Sequence, residues 1–140
     1  MIAETFLAAG ANVHICDINS DKVAKFVATR EGVTGSVVDI ANADAVATMF
    51  DDLKPHHGRL DMLVNNAGIA GPTGAVEELD TAAWDHTIAV NINGQFYCAK
   101  YAVPLLTICP HRDSGQIICP HMINISGPVL KLSRQHTHET

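Results

Sequence analysis

The chain has 140 residues, 47% of them hydrophobic and 17% charged, with a formal net charge of −6 at pH 7. That length suits one domain with a core and is too short for two, and the apolar content excludes a disordered chain. An acidic balance with no basic run argues against a nucleic-acid partner and against an anionic membrane surface, since both call for clustered Lys and Arg.

Residues 3–9 are good helix formers, and Gly10 suits a C-terminal cap. The chain therefore opens inside a helix with no N-terminal cap, and an upstream segment is expected. Glu4 breaks the first apolar stretch and no basic region precedes it, so residues 1–7 do not read as a secretory leader. No stretch approaches the ~18 uninterrupted apolar residues of a membrane span. Residues 12–18 read as a short buried strand ending at Asp17 and Ile18. Ser20 is placed to cap the next helix, which carries Val23, Phe26 and Val27 on one face. Residues 33–38 form a second strand, ending before Asp39. Asn42 caps a third helix, whose Val46, Met49, Phe50 and Leu53 fall at i, i+3, i+4 and i+7 on one stripe. The run Lys54-Pro55-His56-His57-Gly58 is expected to break it.

Residues 60–64 read as a third strand, leading into Asn65-Asn66-Ala67-Gly68 and a Gly/Pro-rich loop over 69–74. Asp80 or Thr81 opens a long helix to about Val103, with Trp84, Ile88, Ile92 and Phe96 at near-helical spacing. Residues 116–125 contain a last strand, in which Pro120 removes a ladder donor. The polar tail from Lys131 reads as frayed. Residues 1–130 are thus expected to form one partial domain and 131–140 a divergent tail. Strands alternating with helices predict a parallel sheet covered on both faces, the doubly wound α/β class. In such sheets ligands bind at the carboxyl ends of the strands, so Asp17, Asp39 and Asn65/Asn66 would share one rim.

An acid that closes a strand about 20 residues after a Gly-rich turn is the ribose-binding position of a dinucleotide fold. Asp17 fits that position, and the count puts such a turn before Met1. A carboxylate there accepts from ribose hydroxyls and repels a 2′-phosphate, favouring NAD over NADP. On its own Asp17 could equally be a solvated carboxylate at a strand end.

The run Leu63-Val64-Asn65-Asn66-Ala67-Gly68-Ile69, after an apolar strand and at the right distance from Asp17, resembles the strand-end motif of the short-chain dehydrogenase/reductase family. Ala8-Ala9-Gly10-Ala11, Asp39-Ile40 and Val90-Asn91-Ile92-Asn93-Gly94 extend the resemblance over roughly residues 2–118. It implies a Rossmann-like fold, incomplete here, with the first strand and the C-terminal half missing. It implies NAD as cofactor, an alcohol or carbonyl substrate, and hydride transfer by a cytoplasmic enzyme. Asp17, Ile18, Asp39, Ile40, Asn66, Ala67 and Gly68 would face the cofactor, with the Asp39 side chain at the adenine amine. Asn65 would steady the sheet. Asn91 would hold a water of the proton relay. The helix from Thr81 would serve a homo-oligomer interface.

The pattern then departs from the family. Its chemistry needs a Tyr with a Lys four residues later, which lowers the Tyr pKa so that the phenolate can act as base. No Tyr-x-x-x-Lys occurs in this chain. Tyr97 and Lys100 have the wrong spacing and lie on the wrong helix. Ile123-Asn124-Ile125-Ser126-Gly127 resembles the family's next strand end, but Ser126 matches the first of its two usual serines and Gly127 replaces the second. Ser126 is a weak catalytic candidate, and the chain alone is expected to be inactive, poorly stable and weak in NAD affinity.

Two other readings stand beside this one. The chain could be a non-catalytic binding or oligomerising remnant. It could instead be a small zinc protein, since Ile108-Cys109-Pro110-His111 recurs as Ile118-Cys119-Pro120-His121. The Cys-x-His spacing is not a usual finger arrangement, so no metal ligand is assigned. Cys16, Cys98, Cys109 and Cys119 are widely spaced, which suits reduced thiols and not a disulfide framework. His56, His57, His86, His136 and His138 read as solvated.

Overall fold

A computed structural model describes residues 2–106 and the backbone of residues 116–118. Ser126, the second Cys/His run from Cys119, Cys109 and the polar tail lie outside the described residues. The chain begins with helix α1 (Ile2–Ala8), followed by strand β1 (Val13–Asp17), helix α2 (Ser20–Ala28) and strand β2 (Val33–Val37). Helix α3 (Ala43–His57) and strand β3 (Met62–Val64) come next. A short 3-10 turn (Val76–Glu78) precedes one long helical run, made of α4 (Thr81–Ile88), a π-helical turn (Ala89–Gly94) and α5 (Gln95–Leu106). Strand β4 (Gln116–Ile118) is the last described element.

The strands pair in parallel, as expected for α/β alternation, but in two separate pairs: β1 with β2, and β3 with β4. The doubly wound class holds, with only part of the fold present. Side-chain alternation along a strand sorts the layers. Ile15 and Gly35 face Val23 and Val27 of α2 on one side. Cys16 and Val38 face the other side and join the main core. That core is built by α3 and α5, with Val46, Met49, Phe50 and Leu53 from the first and Cys98, Ala102, Leu105 and Leu106 from the second. Leu60 and Leu63, before and within β3, pack against the same cluster. One helical layer therefore covers both strand pairs. The stripe read from α3 is buried in full, with Val46 inaccessible to solvent.

Several boundaries move. Asn19, not Ser20, caps α2, its side chain accepting from the Lys22 N–H at 2.9 Å. The chain leaves β1 at Asp17, whose carboxylate accepts the Asn19 N–H, and this turn sets Asn19 at the cap. The run from Lys54 to Gly58 does not break α3. Pro55 cannot donate to the Asp51 carbonyl, but Asp51 is exposed to solvent and only two helical residues follow Pro55. The helix ends at Gly58, which adopts φ +64° while its N–H closes on the Lys54 carbonyl at 2.8 Å. β3 is shorter than expected because the Leu60 N–H is taken by the Leu105 carbonyl of α5 at 3.2 Å. His57 is not solvated. Its Nε2 lies 3.0 Å from the Thr34 hydroxyl, which lies 2.8 Å from Nδ1 of His14. No described helix is long and apolar enough to cross a membrane.

Candidate functional site

Each rim residue owes its place to a strand ending. Asp17 closes β1 opposite Val37, and the Val38 N–H donates to the Asp17 carbonyl at 3.1 Å. The ends of β1 and β2 are thereby held together, with Asp39 one residue beyond that bond. Asp17 and Asp39 then repeat one local device. Each carboxylate accepts a backbone N–H two residues on, from Asn19 and Ala41, both at 2.9 Å. Such Asx turns fix the carboxylate at a strand end while leaving its second oxygen for a ligand. Both residues are exposed, and Ile18 beside them is 69% exposed.

The loop after β3 is held from below. Asn65 is buried, and its Nδ2 donates to the Gln95 carbonyl at 3.2 Å. Asn66, Ala67 and Gly68 follow as exposed residues. Ile69 is tied back by Asn91, whose Oδ1 accepts the Ile69 N–H and whose Nδ2 donates to the Ile69 carbonyl, both at 2.9 Å. The turn after β2 reaches the same stretch of helix, because Ile40 packs against Gly94. Residues 91–95 therefore anchor the loops that follow β2 and β3, and this common anchor puts Asp39 and Asn66–Gly68 at one end of the molecule. The anchor falls in and beside the π-helical turn, an irregularity found frequently at functional sites.

One expectation needs correcting. The Ile40 side chain is 8% exposed and belongs to the core, so it has no face to offer a cofactor. The side-chain amide of Asn91 bridges both backbone groups of Ile69, which leaves one N–H and one lone pair of that amide for other partners. Tyr97 is partly buried against the core, and Lys100 is exposed with its Nζ 5.3 Å from the Tyr101 ring, which agrees with structural roles. Gly94 and Gln95 carry site architecture that the sequence reading missed. Gly94 within a helical pattern was the one available signal, since such a glycine marks a close approach. Gln95 is buried, and neither atom of its amide has a partner among the described residues.

Among the described residues near the rim, Cys16 is the thiol to consider as a nucleophile. Burial pushes the Cys16 thiol above its ordinary range, and the neighbouring Asp17 charge adds to this. A thiol in that state stays protonated. Among the described residues no group of three or more His, Cys, Asp or Glu is arranged to hold a metal ion.

Residues 1–128 match a family model described as "Enoyl-(Acyl carrier protein) reductase". The chain is similar to the short chain dehydrogenase/reductase dpchG of Colletotrichum higginsianum, with 39% identity over 121 residues, which are 84% of this chain and 45% of that protein. It spans about half the length of the curated relatives it matches first. A solved short-chain dehydrogenase/reductase described as glucose/ribitol dehydrogenase, from Brucella melitensis, superposes with a TM-score of 0.73 at 30% identity. That match covers 84% of this chain and 49% of the other. ElxO, solved with NADP bound, superposes at 0.67 with 30% identity, covering 74% of this chain and 43% of its own.

Proposed function

Since the chain belongs to the short-chain dehydrogenase/reductase family, we propose that it supplies the adenine-nucleotide side of an NAD-dependent oxidoreductase acting on a small alcohol or carbonyl, and that it does not turn over alone. The observation that carries this is the pair of strand-end carboxylates, Asp17 and Asp39, each with one oxygen committed to an Asx turn. The free Asp17 oxygen suits ribose hydroxyls, and the exposed Ile18 beside it suits the flat face of adenine. Asp39 then lies within the same rim for the adenine amine. Backbone at Ala67 and Gly68 has no bulky side chain to keep a nucleotide away. When bound, the nicotinamide supplies hydride transfer.

NAD is favoured over NADP by charge. A 2′-phosphate placed at the Asp17 carboxylate would set two anions against each other. The chain's own residues hold and orient. Asn91 fixes Ile69, and Asn65 fixes the first turn after β3. The missing Tyr-x-x-x-Lys pair leaves no base for an alcohol proton, which is why turnover by the isolated chain is not expected. The chain is read as cytoplasmic, with a small-molecule substrate and no nucleic-acid or membrane partner.

The test is a paired titration of the 140-residue chain with NADH and NADPH, read by nicotinamide fluorescence. NADH should bind more tightly, and D17A should narrow the difference. Equal affinities in the unaltered chain would refute the NAD assignment, and turnover of an alcohol would refute inactivity.

A second reading is favoured by the long helical run. Trp84, Ile92 and Phe96 are exposed on it, at 52%, 38% and 62%. Large apolar groups in that arrangement suit a homo-oligomer contact. Sedimentation over a concentration series, with W84E/F96E as the comparison, separates a self-associating chain from a monomer.

A further inference from the structure

Gly94 is the point at which the helix touches the turn after β2. A Cβ built on it would lie 2.8 Å from both Cδ1 and Cγ1 of Ile40, and 3.1 Å from the Ile40 carbonyl oxygen. Gly94 does not have the positive φ that would itself demand glycine. The space demands it. Carbon atoms pack at about 3.5–4.0 Å, so an added methyl leaves a deficit of roughly 1 Å to be absorbed.

Ile40 cannot absorb it by moving inward. It is packed in a cluster with Val46, Met49, Phe50 and Val90, and such cores are close-packed. The remaining freedom is outward movement of the turn itself. That turn is short and stiff, because Asp39 binds the Ala41 N–H through its carboxylate and the Asn42 N–H through its carbonyl. Asp39 would therefore travel with Ile40. The loop after β3 would not, since it is held by other groups, Asn91 and the Gln95 carbonyl.

Resting on the nucleotide reading above, we propose that Gly94 is a positioning residue for the adenine end of the site. The absent Cβ lets Ile40 seat against the helix, and this seating sets where the Asp39 carboxylate stands. Gly94 touches no ligand and acts through Ile40 and Asp39.

The test is an NMR titration of the full 140-residue chain with AMP, using unaltered protein, G94A, I40A and G94A/I40A. In free G94A the amide signals of residues 39–41 should move and those of 66–69 should not. AMP affinity should fall about tenfold, the equivalent of one lost hydrogen bond. The double variant removes both 2.8 Å contacts and should regain most of that affinity, which a general loss of stability would not allow. If G94A fails to fold, the double variant decides, because a folded G94A/I40A with near-normal affinity supports the proposal. Unchanged affinity in G94A overturns it, as does a folded double variant that stays weak. An unaltered chain that binds no AMP overturns the nucleotide reading, and this proposal with it. Normal binding by the unaltered chain with no effect of G94A removes the positioning role alone.

Discussion

Asn91→Ala should detach the loop after β3 from the helix without disturbing the helix itself. The substitution removes two hydrogen bonds of 2.9 Å, one to each polar group of Ile69. Net hydrogen bonds contribute about 0.5–1.5 kcal/mol each, so the pair is worth about 1–3 kcal/mol at most. Ile69 is 39% exposed, and water can reach the groups left behind. The lower part of that range therefore applies, about 1–2 kcal/mol, and in a domain of this size it lowers Tm by roughly 4–8 °C. Alanine is also the better helix former, which trims the loss by a few tenths of a kcal/mol. Hydrogen exchange locates the effect. The Ile69 amide should lose protection by about tenfold, in proportion to the lost bond, while the α4 amides keep theirs. An unchanged Ile69 exchange rate in N91A, with an unchanged Tm, would mean that the amide bridge does not hold the loop, and the common anchor for the rim would be wrong.

Val46→Ala should cost about 1.5–3 kcal/mol, measured by urea unfolding, because the site is fully buried and surrounded by α3 and α5 side chains. A loss under about 0.5 kcal/mol would say that the α3 stripe is not the core. The His14–Thr34–His57 bridge predicts a pH dependence. Burial holds the His14 imidazole below its ordinary value of 6.5, and His57 and His56 add to the effect. The folded state then binds the His14 proton less readily than the unfolded state. This contribution to stability is complete above about pH 6.5 and declines as the pH falls below it. Urea midpoints at pH 8 and pH 5 should differ more in the unaltered chain than in H14Q, and equal differences would remove His14 as the cause. Thr34→Val should lower stability at pH 8, because it leaves two half-buried imidazole nitrogens without the hydroxyl, and a midpoint equal to the unaltered chain would contradict the bridge.

What could be read from the sequence was local. The α3 stripe depends on 3.6-residue periodicity and the end of β1 at Asp17 on a short apolar run, so both were legible, whereas β2 stops at Val37, two residues before Asp39. The cap of α2 was missed by one residue because Asn19 and Ser20 are chemically equivalent caps, and the choice is made by the Asp17 turn. Pro55 looked like a breaker because Pro removes a helical donor, and only the structure shows the helix running two residues past it to His57. The resemblance assigns Ile40 and Asn91 to the candidate site. Their side chains, however, serve the scaffold: one fills the core and the other ties a loop. His57 was read as solvated because its partner Thr34 lies on another element, and strand register is not written in a single strand. Gln95 gave no signal at all, since a glutamine inside a helical pattern is ordinary.

The central claim is that the strand-end carboxylates and the loop after β3 form one nucleotide-binding rim. Mapping amide shifts of the 140-residue chain during titration with NADH tests it most directly. The perturbed amides should gather at residues 17–18, 39–41 and 66–69, at the end of the molecule held by residues 91–95. Perturbations confined to the opposite end, around His14 and His57, or no saturable shifts at all, would contradict it.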